Sequence, residues 1–180
     1  MATLGNDLDR VDKICQQFVN LIEKALIAEA LEGAADGEEV SRAQYDGLRY
    51  VHHHPDCCIK DLAQGLSVSH PAAVKLVERL AARDFIAREV RDEDRRVVRL
   101  RSTDNGGKIV DLVRSRRAAA FEEIASAMDG TQVETLAHCI DDFIRSALQS
   151  GVAGRKVCLQ CGDEHRDKCT VFAETEGLAA

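Results

Sequence analysis

The sequence predicts a mainly α-helical chain with one small β-hairpin set among its helices. Three observations carry this: six stretches that read as helices, two short alternating stretches around an acidic tip, and a positive charge balance confined to one segment. The chain has 180 residues and 45% apolar content, which suits a globular protein with one ordinary domain or one domain and an appendage.

Taken in order, Asp7 to about Glu32 reads as a long amphipathic helix, with Leu8, Val11, Cys15, Phe18, Ile22 and Leu26 on one face. Gly33-Ala-Ala-Asp-Gly37 breaks it. A second helix runs from about Ser41, a good N-cap residue, to His52, and Pro55 ends it. A short helix spans Ile59 to Leu66, and after Ser67-Val68 another runs from Ser69 to Arg83 with Pro71 in its first turn, where a missing N–H costs nothing. Ile86–Arg91 and Arg96–Arg101 flank Asp92-Glu93-Asp94-Arg95 and read as a two-stranded hairpin with a charged tip. Thr103 caps a helix from about Asn105 to Met128, and Thr131-Gln-Val-Glu134 reads as a capping box opening the last long helix, to about Gln149. Gly151 and Gly154 mark a linker, after which the chain turns short, polar and cysteine-rich.

Helix, short turn, helix and hairpin, in that order, make a winged helix-turn-helix, in which the second helix enters the major groove of DNA with its N-terminus first. The expected inner face of that helix is Ala73, Val74, Val77, Leu80 and Ala81, packed on Leu62, Ala63 and Leu66. The candidate DNA-binding residues are Ser67, Ser69 and His70, Lys75 and Arg79, and the wing residues Arg91, Arg95 and Arg96. Ser69 and His70 lie where base edges would be met; Lys75 and Arg79 suit phosphates; the wing arginines suit the backbone or a narrow minor groove. The overall charge of −7 is unusual for a DNA binder, but Ser67–Arg101 holds nine Lys/Arg against six Asp/Glu, so +3 lies here and −10 elsewhere.

These residues resemble the multiple-antibiotic-resistance regulator (MarR) family. The resemblance rests on Ile59-Lys-Asp-Leu-Ala-Gln-Gly-Leu-Ser-Val-Ser-His-Pro71, Val77-Glu-Arg-Leu80, Asp92-Glu-Asp-Arg-Arg96, Val98-Arg-Leu100 and Thr103-Asp-Asn-Gly106, and it spans about residues 7–149. It implies a homodimer with interlocked first and last two helices, a double-stranded pseudo-palindromic operator, a repressor role, and release by a small-molecule ligand or by cysteine oxidation. By position Arg95 or Arg96 is the wing arginine. The chain departs from the family at His70, where members often carry Arg, and at Ala72 and Val74, near which they carry Thr, so base preference does not transfer. The expected organisation is a dimerisation helix and linker at 1–38, the winged helix-turn-helix at 39–102, dimerisation helices at 103–150 and a cysteine-rich tail at 151–180.

Cys158-Leu-Gln-Cys161-Gly162, then His165 and Cys169, is the most chemically specific feature outside the DNA module. Two cysteines separated by two residues can face one ion, and Gly162 permits the positive φ that brings backbone N–H groups toward the thiolates. Three sulfurs and one nitrogen suit a closed tetrahedral zinc site. An iron–sulfur cluster and a metal-free thiol switch are the alternatives. The spacing is similar to a zinc knuckle, one residue shorter in each later gap.

Cys15 lies where organic-hydroperoxide sensors of the resembled family place a reactive cysteine, but its place on the apolar stripe favours core packing. Cys57 and Cys58 stand beside His52-His53-His54 at a helix start that could lower the Cys58 pKa, and a polar helix end is the simpler reading. His138 and Cys139 read as structural. A thiol oxidoreductase using Cys158 and Cys161 would need a βαβ pattern that the sequence lacks, and a Gly-rich phosphate loop is missing too; no enzyme is expected. A DNA-binding adaptor whose zinc-bound tail recruits another protein is the second non-enzymatic reading. Seven cysteines in an odd count, no long apolar run and no signal-like N-terminus predict a cytoplasmic protein without structural disulfides.

Overall fold

The structure is a computed structural model that describes residues 2–35, 39–90, 98–154, 157–158 and 169–177. Helix α1 (Ala2–Asn20) runs without interruption through a π-helical segment (Leu21–Ile27) into α2 (Ala28–Leu31). The expected single helix is therefore present, but with a wider turn in its middle. That turn rotates the buried face, so that Leu26, Ile27, Ala30 and Leu31 enter the core while Leu8, Val11 and Ile14 stay exposed. Arg116 fastens this end by donating to the carbonyls of Ala30 (3.1 Å) and Glu32 (2.6 Å), where helix carbonyls lack partners.

Helix α3 (Arg42–His53) starts at Ser41, whose hydroxyl accepts from the Gln44 N–H (3.3 Å) while the Gln44 side chain accepts from the Ser41 N–H (3.0 Å). Helix α4 (Ile59–Gly65) and helix α5 (His70–Ala82) follow, and then strands β2 (Ile86–Val90) and β3 (Val98–Ser102). A third strand, β1 (Cys57–Cys58), precedes α4 and pairs antiparallel with β3, Cys57 opposite Leu100 and Cys58 opposite Arg99. The expected hairpin is thus a three-stranded antiparallel sheet in the order β1-β3-β2. Two residues are too few to show an alternation, which is why the pattern gave no sign of β1.

Leu48 and Val51 of α3, Leu62 of α4, Val77 and Leu80 of α5, Leu100 of β3 and Val113 of the helix that follows form the most deeply buried part of one continuous core. Helix α6 (Asp104–Ala125) is capped by Thr103, whose hydroxyl accepts from the Gly106 N–H (3.0 Å) and donates to the Asp84 carbonyl (2.6 Å). Helix α7 (Gly130–Gln149) is capped by Asp129 rather than Thr131: the Asp129 carboxylate accepts from the Gln132 N–H (2.9 Å), and the Gln132 side chain accepts from the Asp129 N–H (3.0 Å). Two capping boxes overlap here, and the earlier one wins because Asp caps as well as Thr and adds residues to the helix. Helix α8 (Thr170–Gly177) packs back on α7. No helix among the described residues is long and apolar enough to cross a membrane.

Candidate nucleic-acid interface

The turn between α4 and α5 is set by backbone hydrogen bonds from Leu66 to Leu62 (3.0 Å), Ser67 to Gln64 (3.1 Å) and Val68 to Ala63 (3.0 Å). Ser67 takes a left-handed φ of 54° in it, a conformation that lets the chain reverse within so few residues. The reversal seats Ala73, Val77 and Leu80 in the core, and Val74 and Ala81 half-buried at its edge. The opposite face of α5 is left to solvent, and Ser69, His70, Ala72, Lys75 and Arg79 are all exposed on it.

Ser69 is the N-cap of α5, and its hydroxyl accepts from the Ala72 N–H (3.4 Å). Accepting this one bond leaves the hydroxyl proton and a second lone pair, so Ser69 can donate to a phosphate or to a base edge and can also accept from a base. Lys75 and Arg79 make no ion pair or hydrogen bond among the described residues. Arg91, Arg95 and Arg96 lie outside the described residues.

Not all of the local positive charge faces outward. Arg101 grips the Asp56 carboxylate with two hydrogen bonds (2.7 and 2.9 Å), and Arg99 donates to the Asp56 carbonyl (3.0 Å). Arg83 donates to the Glu39 carbonyl (2.9 Å) and lies 4.6 Å over the Phe85 ring. These three arginines tie the sheet and α5 to their neighbours. Asp56 lies before the counted segment and holds a φ of 68°, so sequence counting could not foresee that it engages two of the nine cations. Arg88 of β2 is exposed as well, although it shares a strand face with the buried Ile86 and pairs with Leu100, so strand alternation alone would have turned it inward.

The other candidate residues fall apart in space or lack the chemistry. Cys57 is buried, and desolvation first, then the Asp61 carboxylate and Cys58, push its thiol up to about 12, so it stays protonated. Cys58 caps α4, its N–H donating to Asp61 (2.8 Å), a bond that holds the Asp61 carboxyl below its usual range. His52 Nδ1 meets the Ser102 hydroxyl (3.1 Å) and His54 Nδ1 the Tyr50 carbonyl (2.9 Å), with the His54 ring stacked on Tyr50 at 4.2 Å. Those histidines serve local packing. No group of three metal-ligating side chains is assembled among the described residues.

Cys15 is exposed on α1 rather than packed in the core. His138 and Cys139 are exposed on α7, with His138 3.9 Å from Glu134. Cys158 and Cys169 are half-buried, and their expected partners Cys161 and His165 lie outside the described residues. Between the π segment and the start of α3 lies a cleft of about 630 Å³ with Ile27, Leu31 and Val40 on its floor. The bidentate Arg42–Glu23 pair (3.1 and 3.3 Å) stands at its rim.

Comparison with known proteins places this geometry. The chain is 24% identical over 120 residues to an uncharacterised HTH-type transcriptional regulator, YybA, of Bacillus subtilis (strain 168), covering 64% of this chain and 80% of that protein. Its fold is similar to that of Streptococcus pneumoniae FabT in complex with DNA, with a TM-score of 0.64 at 18% identity, over 77% of this chain and 98% of the other. The YusO protein of Bacillus subtilis is likewise similar, with a TM-score of 0.63 at 23% identity, over 82% and 98% of the two chains. The MarR family model matches residues 40–98, the segment from just before α3 to the first residue of β3, and over that winged helix-turn-helix this chain is similar to the MarR family.

Proposed function

We propose that the chain is a transcriptional repressor that reads a pseudo-palindromic DNA operator as a homodimer. The observation that carries this is the face of α5: exposed Ser69, His70, Lys75 and Arg79 on a helix whose opposite face is locked into the core. A rigid helix with cations without partners among the described residues, its N-terminus foremost, has the features needed to track phosphates and reach base edges in the major groove. Similarity to a regulator crystallised in complex with DNA supports the same reading.

Ser69 and His70 are the base-reading residues, Ser67 lies at the turn, and Lys75, Arg79 and the wing residues Arg91, Arg95 and Arg96 hold the backbone. Release comes from an effector or from cysteine chemistry, and the cleft beneath Glu23 and Arg42 is large enough for a small molecule.

The test is Lys75→Ala with Arg79→Ala, assayed by fluorescence anisotropy on operator DNA at several salt concentrations. Two lost phosphate contacts lower the salt slope by roughly 2 and weaken binding to all sequences. An unchanged slope and affinity, with the fold intact by circular dichroism, would remove α5 from the interface. The repressor role is read separately, as a rise in reporter transcription from that operator when the chain is deleted.

A further inference from the structure

We propose that Arg83, at the far end of the reading helix α5, is the positioning residue that fixes the distance between the two reading helices of a dimer. The proposal rests on the dimeric DNA-binding reading above and names a residue that sets its geometry.

Ser69 caps one end of α5 and Arg83 the other, and the 13 residues of the helix between them span about 20 Å. Arg83 is therefore too far back to touch the base edges that Ser69 and His70 face. Its guanidinium is directed elsewhere. Nη1 donates to the Glu39 carbonyl (2.9 Å) and, at greater length, to Gln44 Oε1 (3.5 Å), while the cation lies 4.6 Å over the Phe85 ring. Phe85 is buried, so its ring is a fixed platform that holds the planar guanidinium in one orientation. The turn carrying Phe85 is fixed as well, by backbone bonds from Asp84 to Ala81 (3.0 Å) and from Phe85 to Leu80 (3.0 Å).

Glu39 stands where the winged module meets the end of the first helix. Arg83 holds its carbonyl, and the next residue, Val40, is buried on the cleft floor with Ile27 and Leu31 of that helix. The same helix end is gripped from α6 by Arg116, through the Ala30 and Glu32 carbonyls, and from α3 by the Arg42–Glu23 pair. Arg83 adds the grip from α5. Because Glu39 offers its backbone carbonyl and not its carboxylate, the side chain that carries this bond is the arginine.

A small slip at this point has a large effect at the other end. Ala73, Val77 and Leu80 lock α5 into the core of its module, so the module tilts as one body. A tilt of about 10° about the Arg83 end moves Ser69 by roughly 3.5 Å, which is one base-pair step. Two reading helices set for half-sites about 34–36 Å apart tolerate little of that error. The bond from Arg83 to Glu39 thus acts on spacing and leaves each reading face as it is.

The test uses the full chain and the duplex that the wild type selects from a randomised pool. Anisotropy is measured on that duplex, on the same duplex with one base pair inserted at its centre, and on a single half-site. Arg83→Met keeps an apolar stem over Phe85 and removes the donor, whereas Arg83→Lys keeps the charge and one donor. Arg83→Met is expected to lower the preference for the native spacing at least about fivefold, with half-site affinity and its salt slope at wild-type values. Arg83→Lys is expected to restore part of the preference. An unchanged preference in Arg83→Met would overturn the proposal, and a fall in half-site affinity with the fold intact would make Arg83 a DNA contact instead. A second measurement needs no DNA. Nitroxides on a ketone-bearing residue introduced at the exposed Ala72 of both copies give the distance between the α5 helices by double electron–electron resonance. Arg83→Met is expected to broaden that distance distribution, and an unbroadened one also overturns the role of Arg83. A wild type that binds no duplex would sink the DNA-binding reading itself, and the distance measurement would then decide Arg83.

Discussion

A β-carbon on Gly106 would come within 2.1 Å of the Phe85 carbonyl oxygen, which is backbone and cannot swing aside. Gly106 lies in the first turn of α6, where the helix crosses the end of α5 and the start of β2, and the close approach is what brings Ile109 and Val110 into the core. Gly106→Ala is expected to lower stability by about 1–3 kcal/mol or more, measured by urea unfolding, since the two elements must part to admit it. An unchanged midpoint would show that α6 tilts at no cost. Gly106 belongs to the Thr103-Asp-Asn-Gly motif that marked the family in sequence. The motif carries a resemblance but not the reason for the glycine, which lies in a neighbour 21 positions earlier. Cys57 is a similar case, since sequence placed it at a helix start among histidines and only burial assigns its chemistry. With a thiol pushed up to about 12, Cys57 is expected to resist iodoacetamide at pH 8 in the native protein and to react on unfolding. Native labelling at the rate of an ordinary exposed cysteine would contradict the buried, protonated thiol.

At the scale of elements, the helices were legible because each carries its own punctuation. Ser41, Ser69 and Thr103 all cap the helices they were expected to open, and Pro55 follows the end of α3. What was not legible depends on partners far away in sequence. The strand at Cys57–Cys58 exists through its pairing with Arg99 and Leu100, and the Asp56–Arg101 bond diverts a cation that composition assigned to the surface. The inner and outer faces of α5 follow from helical spacing alone, so that part of the candidate site was readable; Arg91, Arg95 and Arg96 lie outside the described residues. Arg95→Ala with Arg96→Ala is expected to weaken binding on all DNA sequences without altering assembly, as read by anisotropy and sedimentation. Unaltered affinity would exclude the wing from the interface. The α7–α8 contact makes a separate, pH-dependent prediction. The Thr170 hydroxyl first, then Arg145, holds the Asp141 carboxyl below its ordinary range, so docking favours the ionised acid. Docking is therefore full above the ordinary aspartate pKa of about 4 and is lost as the pH falls from there through the lowered value. Proteolysis after α7 by an acid-tolerant protease should rise in that window; a rate flat across it would mean that Asp141 does not hold α8.

For the whole molecule, the arrangement of apolar surface decides how many copies are needed. The core lies under α3 to α6, while α1 and α7 project apolar side chains that no described residue covers: Leu8 is 60% exposed and Phe143 61%, with Val11, Ile14, Val19 and Leu136 also open. Single exposed apolar residues are ordinary, but stripes along two long helices mark an interface. The first helix is too long for one winged module to bury its whole stripe. The stripe divides at the π segment, so that Leu26 onward serves the core and the earlier positions are left exposed. Each such side chain contributes on the order of 1 kcal/mol when covered. With Phe121 and Ile124 of α6 also exposed, eight such side chains in each of two copies would give on the order of 16 kcal/mol, against the roughly 4–15 kcal/mol that association costs. The same interface would set two α5 helices at the fixed spacing that a palindromic operator demands. Sedimentation at low micromolar concentration is therefore expected to find a dimer only, and Ile14→Glu combined with Phe143→Glu to yield monomers that no longer bind operator DNA. The winged module should remain folded in those monomers, because its core draws on neither position. A wild-type chain that sediments as a stable folded monomer would refute the assembly, and with it the reading of two half-sites.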